Sequence, residues 1–173
     1  MDKIPFSRRV TVMLIDFIVA LVYSILIMLL IVTISVGVLD GIPRLSHIQM
    51  QTLAIFTLTM PLILLFTLLE MLEPFGTFGK RVSGLQLNYK QTAFISSFLR
   101  NLFKFIPWMF IQGGIIGMFY SSNNWIYFTL ILFGIGYAVI NLRMMYVRED
   151  GRHIADLIAG TYVKKRENSD GER

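Results

Sequence analysis

The chain has no cysteine in 173 residues, which excludes disulfides, thiolate metal centres and cysteine nucleophiles. It has two histidines, His47 and His153, in different loops. A histidine-based metal site is therefore not expected, and neither is any other cofactor. Charge is also scarce. Only 16% of residues are charged, where a soluble domain carries about a quarter. Apolar residues make up 55% of the chain, so lipid is the expected solvent, and the length suits one domain.

The formal charge of +5 does not point to nucleic acid. The bases sit just outside the apolar runs, where topology signals fall, and form no continuous basic face. The basic amino end, Met1 to Arg9, leads into an apolar run as a secretory signal does. That run, about 10–38, far exceeds the ~7–15-residue core of a signal peptide and has no small-x-small site after it. It is expected to stay in the membrane.

Four runs reach span length, at about 10–38, 50–71, 102–120 and 125–144, because about 20 helical residues cross the ~30 Å hydrocarbon core. Gly37, Asp40, Gly41 and Pro43 end the first. In the second, Pro61 predicts a kink whose freed carbonyls are taken up by hydroxyls such as Thr57 and Thr59. The loop 72–101 is broken by Pro74, Gly76 and Gly79, and then Leu85, Leu87 and Tyr89 alternate with polar residues in a strand-like pattern. Phe94, Ile95, Phe98, Leu99, Leu102 and Phe103 recur at helical spacing opposite Ser96, Ser97, Arg100, Asn101 and Lys104. This predicts an amphipathic helix in the membrane interface, turning inward at Pro107. A tight turn at 121–124 joins the last two spans. Gly113 and Gly117 in one, and Gly134 and Ala138 in the other, predict their close packing.

The expected fold is thus an all-α membrane protein of four transmembrane helices, with an interfacial amphipathic helix and a short strand-like cytoplasmic loop. Residues 1–166 form one domain and 167–173 a frayed tail. Fifteen bases fall on the side that holds both termini and the central loop, and Arg44 alone falls on the other. The positive-inside rule places both termini in the cytoplasm. Tyr120, Trp125 and Tyr127 sit at the opposite end, where an aromatic belt is expected.

Asp16 admits two readings. A carboxylate held in hydrocarbon costs ~2.5–3.5 kcal/mol on insertion scales, so it either lines an inward-facing cavity as a protonatable or cation-binding group, or sits at the cytoplasmic interface paired with Arg9. Glu70 and Glu73 flank the second span's end beside Lys80 and Arg81. No nucleophile, metal ligand or histidine accompanies them, so an enzyme is not expected. Gly76-Thr-Phe-Gly-Lys-Arg81 fails as a phosphate loop, having two residues rather than four before Gly-Lys and Arg81 where Ser or Thr is needed. Lys80 and Arg81 are expected to hold the loop to the anionic inner leaflet. In the tail, Asp156 sits within an apolar helix capped by Gly160 that should dock on the membrane face, followed by a solvated Lys164-Lys-Arg166.

Four segments in order carry a family resemblance: Arg8-Arg9 with Ile15-Asp16; Gly76-Thr-Phe-Gly-Lys-Arg-Val-Ser-Gly-Leu85; Leu99-Arg100-Asn101; and Ala155-Asp156-Leu-Ile-Ala-Gly-Thr-Tyr-Val163. The chain resembles the RDD family, prokaryotic membrane proteins named for one arginine and two aspartates. The resemblance implies Arg9, or Arg8 with a one-residue slip, as the arginine, and Asp16 and Asp156 as the aspartates. Phe78 stands where the family often has leucine. Some members resemble sodium–proton antiporters, and the implied location is a prokaryotic plasma membrane.

Two functions fit these residues. In the first, Asp16, Glu70 and Asp156, set against Arg9, Lys80, Arg81 and Arg100, exchange a proton for a monovalent cation, a homo-oligomer supplying further spans. In the second, the same charges form a structural network holding the loop and tail as a lid that engages a protein partner or an anionic lipid headgroup.

Overall fold

The computed structural model describes residues 4–38, 41, 43–72, 76–90, 92–121 and 124–166. Asp40, Glu73, Pro74, two residues of the 121–124 turn and the tail 167–173 lie outside the described residues. The chain folds as α1 (Phe6–Val38), α2 (His47–Ala54), a π turn (Ile55–Thr59), α3 (Met60–Met71), α4 (Phe78–Val82), β1 (Leu85–Tyr89), α5 (Ala93–Tyr120), α6 (Asn124–Val147), α7 (Ile154–Ile158) and β2 (Thr161–Lys165). Four helices are long and apolar enough to span a membrane: α1, the continuous unit His47–Met71, α5 and α6. Their outward residues are apolar and exposed, as at Leu26, Met28 and Phe133, which is what lipid as solvent requires.

The second span opens on a capping box. Ser46 Oγ accepts from the Gln49 N–H, and the Gln49 side chain accepts from the Ser46 N–H. Pro61 has no N–H to give the Thr57 carbonyl. That carbonyl accepts instead from the Tyr23 hydroxyl of α1, at 2.7 Å. A hydroxyl does take it up, but one from a neighbouring span. Thr57 Oγ1 donates to the Leu53 carbonyl one turn earlier, within the segment that widens into the π turn. The Phe66 and Phe105 rings meet at 5.7 Å, tilted by 40°, in the main apolar cluster with Leu62 and Ile63.

The expected interfacial helix is not a separate element. α5 is one 28-residue helix through Pro107, and its polar stripe is its most buried part: Ser96, Ser97, Arg100 and Asn101 are all 3% exposed or less. Phe94 and Ile95 face outward. In water an amphipathic helix turns its polar face out, but in lipid that face must find protein partners. Glu70, Asp156 and Tyr89 supply them for Ser97, Arg100 and Asn101, while the Ser96 hydroxyl is buried without a hydrogen-bond partner among the described residues.

The strand-like segment is a true strand. β1 pairs with β2 antiparallel, from Leu85 opposite Lys165 to Tyr89 opposite Thr161. Lys164 and Lys165 are therefore part of a sheet rather than a solvated end. Gly160, at φ 63°, takes the left-handed position that turns α7 into β2. Leu85 and Leu87 are buried beneath the sheet.

α5 and α6 are the most extensively packed helix pair. Small residues set their approach: a Cβ on Gly134 would lie 2.7 Å from the Pro107 carbonyl oxygen, and one on Gly117 would enter the Tyr127 ring. Gly113 faces elsewhere, its carbonyl accepting from Gln51 Nε2 of α2 at 3.0 Å. Gly114, which the sequence did not single out, meets Tyr127 and Ile131 in its place. Ala138 lines a cavity whose wall is shared by α1, α3, α5 and α6.

Candidate functional site: a buried charge network beside a cavity

The end of the bundle that carries α4, the sheet and α7 holds a network of ion pairs without access to water. Glu70 ends the second span, and its side chain is fully buried. It accepts from Lys80 Nζ at 2.5 Å, from Arg100 Nη1 and from Asn101 Nδ2 at 2.9 Å. Arg100 turns its Nε to Asp156 at 2.5 Å, so one guanidinium joins α3 to α7 through α5. Asp156 also accepts from Thr161 Oγ1 at 3.1 Å, at the first residue of β2. Tyr89 adds a second tie, its hydroxyl donating to the Glu70 carbonyl and accepting from Ser97. Three spatially separate segments are thereby fastened to α5.

Asp16 has a different set of partners. It is 3% exposed and accepts from the Thr77 hydroxyl at 2.8 Å and the Gly79 N–H at 3.0 Å, with Lys104 Nζ 3.3 Å away. The amides at a helix start lack intrahelical acceptors. Asp16 caps α4 from another helix, while Thr77, the residue at α4's own N-cap, spends its hydroxyl on Asp16. This also disposes of the phosphate-loop comparison, because the Gly79 amide already has a carboxylate. Arg9 is not paired with Asp16. Its guanidinium donates to the Gly151 and Asp150 carbonyls, and no carboxylate lies in ion-pair range of it among the described residues. Arg8 is exposed.

Arg81 stands outside the network. Its Nε donates to the Gly76 carbonyl in the loop at 2.7 Å and its Nη2 to the Leu69 carbonyl at 3.1 Å, the latter an orphan acceptor at the end of α3. Lys80 is buried on Glu70, and two of the three Arg81 guanidinium nitrogens are taken by backbone carbonyls. Asp16 and Asp156 do not touch, but both line one cavity of about 380 Å³, along with Arg9, Lys80, Arg100 and Lys104.

Burial and neighbours set the protonation states outside the spans. Burial alone would push Asp156 up, but the Arg100 guanidinium holds it well below the usual carboxylate range. Lys80 is lowered to about 8, first by burial and then by Arg100. His153 is lowered to about 4, chiefly by burial, with Arg100, Lys104 and Lys80 adding to the effect and Asp156 opposing it. Its Nδ1 accepts the Asp156 N–H at 3.2 Å. It thus has no proton to share with Asp156 Oδ2, 3.5 Å away, and the contact is not an ion pair.

A pH dependence follows. Between pH 6.5 and 4 the unfolded chain protonates His153 and the folded one does not, so stability falls as pH falls through that window, by about 1–3 kcal/mol. Asp156 adds a loss of the same sign only below the ordinary aspartate range. Thermal midpoints in detergent at pH 7 and pH 4.5 should differ for the native chain and differ less for His153→Asn, which keeps a side-chain cap on α7.

The sequence missed the partners more than the acids. Thr77, Gly79 and Asn101 complete the site, as does Asn141, whose Oδ1 accepts the Ile154 N–H at 3.1 Å and ties α7 to α6. Arg148 and Arg152 both grip Asp150, at 2.9 and 2.8 Å, and so shape the turn that receives Arg9. The spacing Arg-x-Asp-x-Arg was the readable signal. Among the described residues no three acidic or histidine side chains converge as a metal site. No curated protein and no solved structure matches the chain. The family model described as RDD family matches residues 4–160, a span that contains Arg9, Asp16, Glu70, Lys80, Arg100 and Asp156. By that match over most of its length, the chain belongs to the RDD family.

Proposed function

We propose that this chain is a non-enzymatic, non-transporting membrane module. In it the Glu70–Lys80–Arg100–Asp156 network is a structural frame that clamps the central loop and tail onto the end of the bundle and leaves a ligand cavity beside it. One observation carries the reading: both acids of the network are buried and each accepts from two or more donors. A carboxylate held ionised in this way is poorly placed to trade protons near neutral pH. The bias of fifteen bases to one supports a cytoplasmic location for this end and both termini, and the family supports a prokaryotic plasma membrane.

Cation–proton exchange at Asp16 is the second reading. It is favoured by the place of Asp16 in the cavity wall and by its having, among the described residues, one ion-pair partner, Lys104, whose side chain is 25% exposed. Proton flux in proteoliposomes under sodium, potassium or lithium gradients separates the two. The frame reading predicts no flux above protein-free vesicles. Saturable flux from the native chain that disappears in a folded Asp16→Asn variant would replace it with exchange.

A further inference from the structure

The cavity has two ends of different character. At its charged end every base but one has a carboxylate among the described residues: Lys80 and Arg100 are matched by Glu70 and Asp156, and Lys104 by Asp16. Arg9 is the surplus cation. Its Nε is buried without a hydrogen-bond partner, and so is Trp108 Nε1, one helical turn beyond Lys104 on α5. Both residues line the cavity. Buried donors left without acceptors are costly, and both of these belong to residues of the cavity wall. Beyond them the walls are apolar, formed by Phe17, Leu21, Leu62, Phe105 and Leu142. Phe17 and Leu21 are 54% and 45% exposed, so this wall of the cavity also borders the lipid-facing surface of α1, which we read as a lateral opening toward hydrocarbon.

We propose that this cavity binds an anionic phospholipid from the surrounding leaflet. Its phosphate sits between Arg9 and Lys104, an ester carbonyl accepts from Trp108 Nε1, and an acyl chain lies along the apolar wall. The inference rests on the binding-module reading above. One surplus positive charge selects a headgroup of net negative charge over a zwitterionic one, and the lateral opening admits a chain without withdrawing it from the bilayer. The two unpartnered donors match the acceptors that a phospholipid carries at successive depths.

The test is native mass spectrometry of the detergent-purified full chain, titrated with phosphatidylglycerol and with phosphatidylcholine of identical chains. Phosphatidylglycerol should bind at about tenfold lower concentration, and Arg9→Gln should remove about that advantage, because a hydrogen bond to a charged group is being lost. Trp108→Phe keeps the ring and loses the donor, and should weaken both lipids by about threefold. Ala138→Phe, which fills the cavity, should abolish binding of both. Each variant is first shown to be folded by its elution profile and thermal midpoint; if Arg9→Gln does not fold, the Trp108→Phe and Ala138→Phe results decide.

Equal binding of the two lipids, unchanged by these variants, would overturn the proposal. So would competition by inorganic phosphate at the same concentration, which would mark a soluble-anion site, or a lipid-free dimer that Ala138→Phe dissociates, which would mark the cleft as a contact between two copies. None of these outcomes bears on proton flux, so failure here leaves the frame reading standing.

Discussion

Arg100→Leu should destabilise the protein by about 3–5 kcal/mol, the usual consequence of removing one member of a buried ion pair, and by more if both stranded acids stay ionised. Arg100 contacts both Glu70 and Asp156, and all three are 3% exposed or less. Leucine leaves Glu70 with Lys80 and Asn101, but leaves Asp156 with only the Thr161 hydroxyl among its direct donors. α7 should loosen before the bundle unfolds, because that carboxylate is its ion-pair link to α5; the β1–β2 pairing and the Asn141 bond to the Ile154 N–H remain. Arg100→Lys tests the geometry separately. A lysine keeps the charge but presents one point where the guanidinium presents a fork, so it should recover only part of the loss. Thermal midpoints and the monodisperse fraction on elution read both variants. A change below about 1 kcal/mol, the range of exposed pairs, would mean the network is not buried as described.

Gly79→Val should be nearly as damaging, with a loss of about 2–4 kcal/mol from overpacking together with a broken cap. At Gly79 an added Cβ would run into the Val12 carbonyl of α1 and lie 3.0 Å from Asp16 Oδ1. The obstacle is helix backbone, which cannot move aside as a side-chain tip can. Any retreat of α4 also pulls the Gly79 amide and Thr77 hydroxyl away from Asp16. Gly136→Val is the control. A Cβ there meets nothing within 4 Å, so its effect should stay within about 0.5 kcal/mol. Equal losses at the two positions would refute the close approach of α4 to α1.

The spans were legible because run length against bilayer thickness is a one-dimensional property. The acids were legible because a carboxylate in an apolar run stands out. Their partners were not. Nothing in the spacing says that Asp16 meets Thr77 and Gly79, some sixty residues away, or that Arg9 serves the turn at Gly151 instead of its near neighbour Asp16. The stripe on α5 was read correctly in period and wrongly in direction, because periodicity tells which residues share a face and not which solvent that face meets. β2 was missed for a similar reason. Thr161 to Lys165 ends in charge and reads as a tail, and only pairing with β1 makes it a strand. Arg81 entered the expected cluster on charge alone, where its geometry suits backbone carbonyls.

The most direct test of a structural frame is a double-mutant cycle across Arg100 and Asp156, with Arg100→Leu, Asp156→Ala and the pair together compared by unfolding free energy. If the acid is held for structure, the double variant loses less than the two singles combined, by about 1–3 kcal/mol of coupling. Losses that add within about 0.5 kcal/mol would mean that the two residues act independently. The network would then not be what fastens the tail to the bundle.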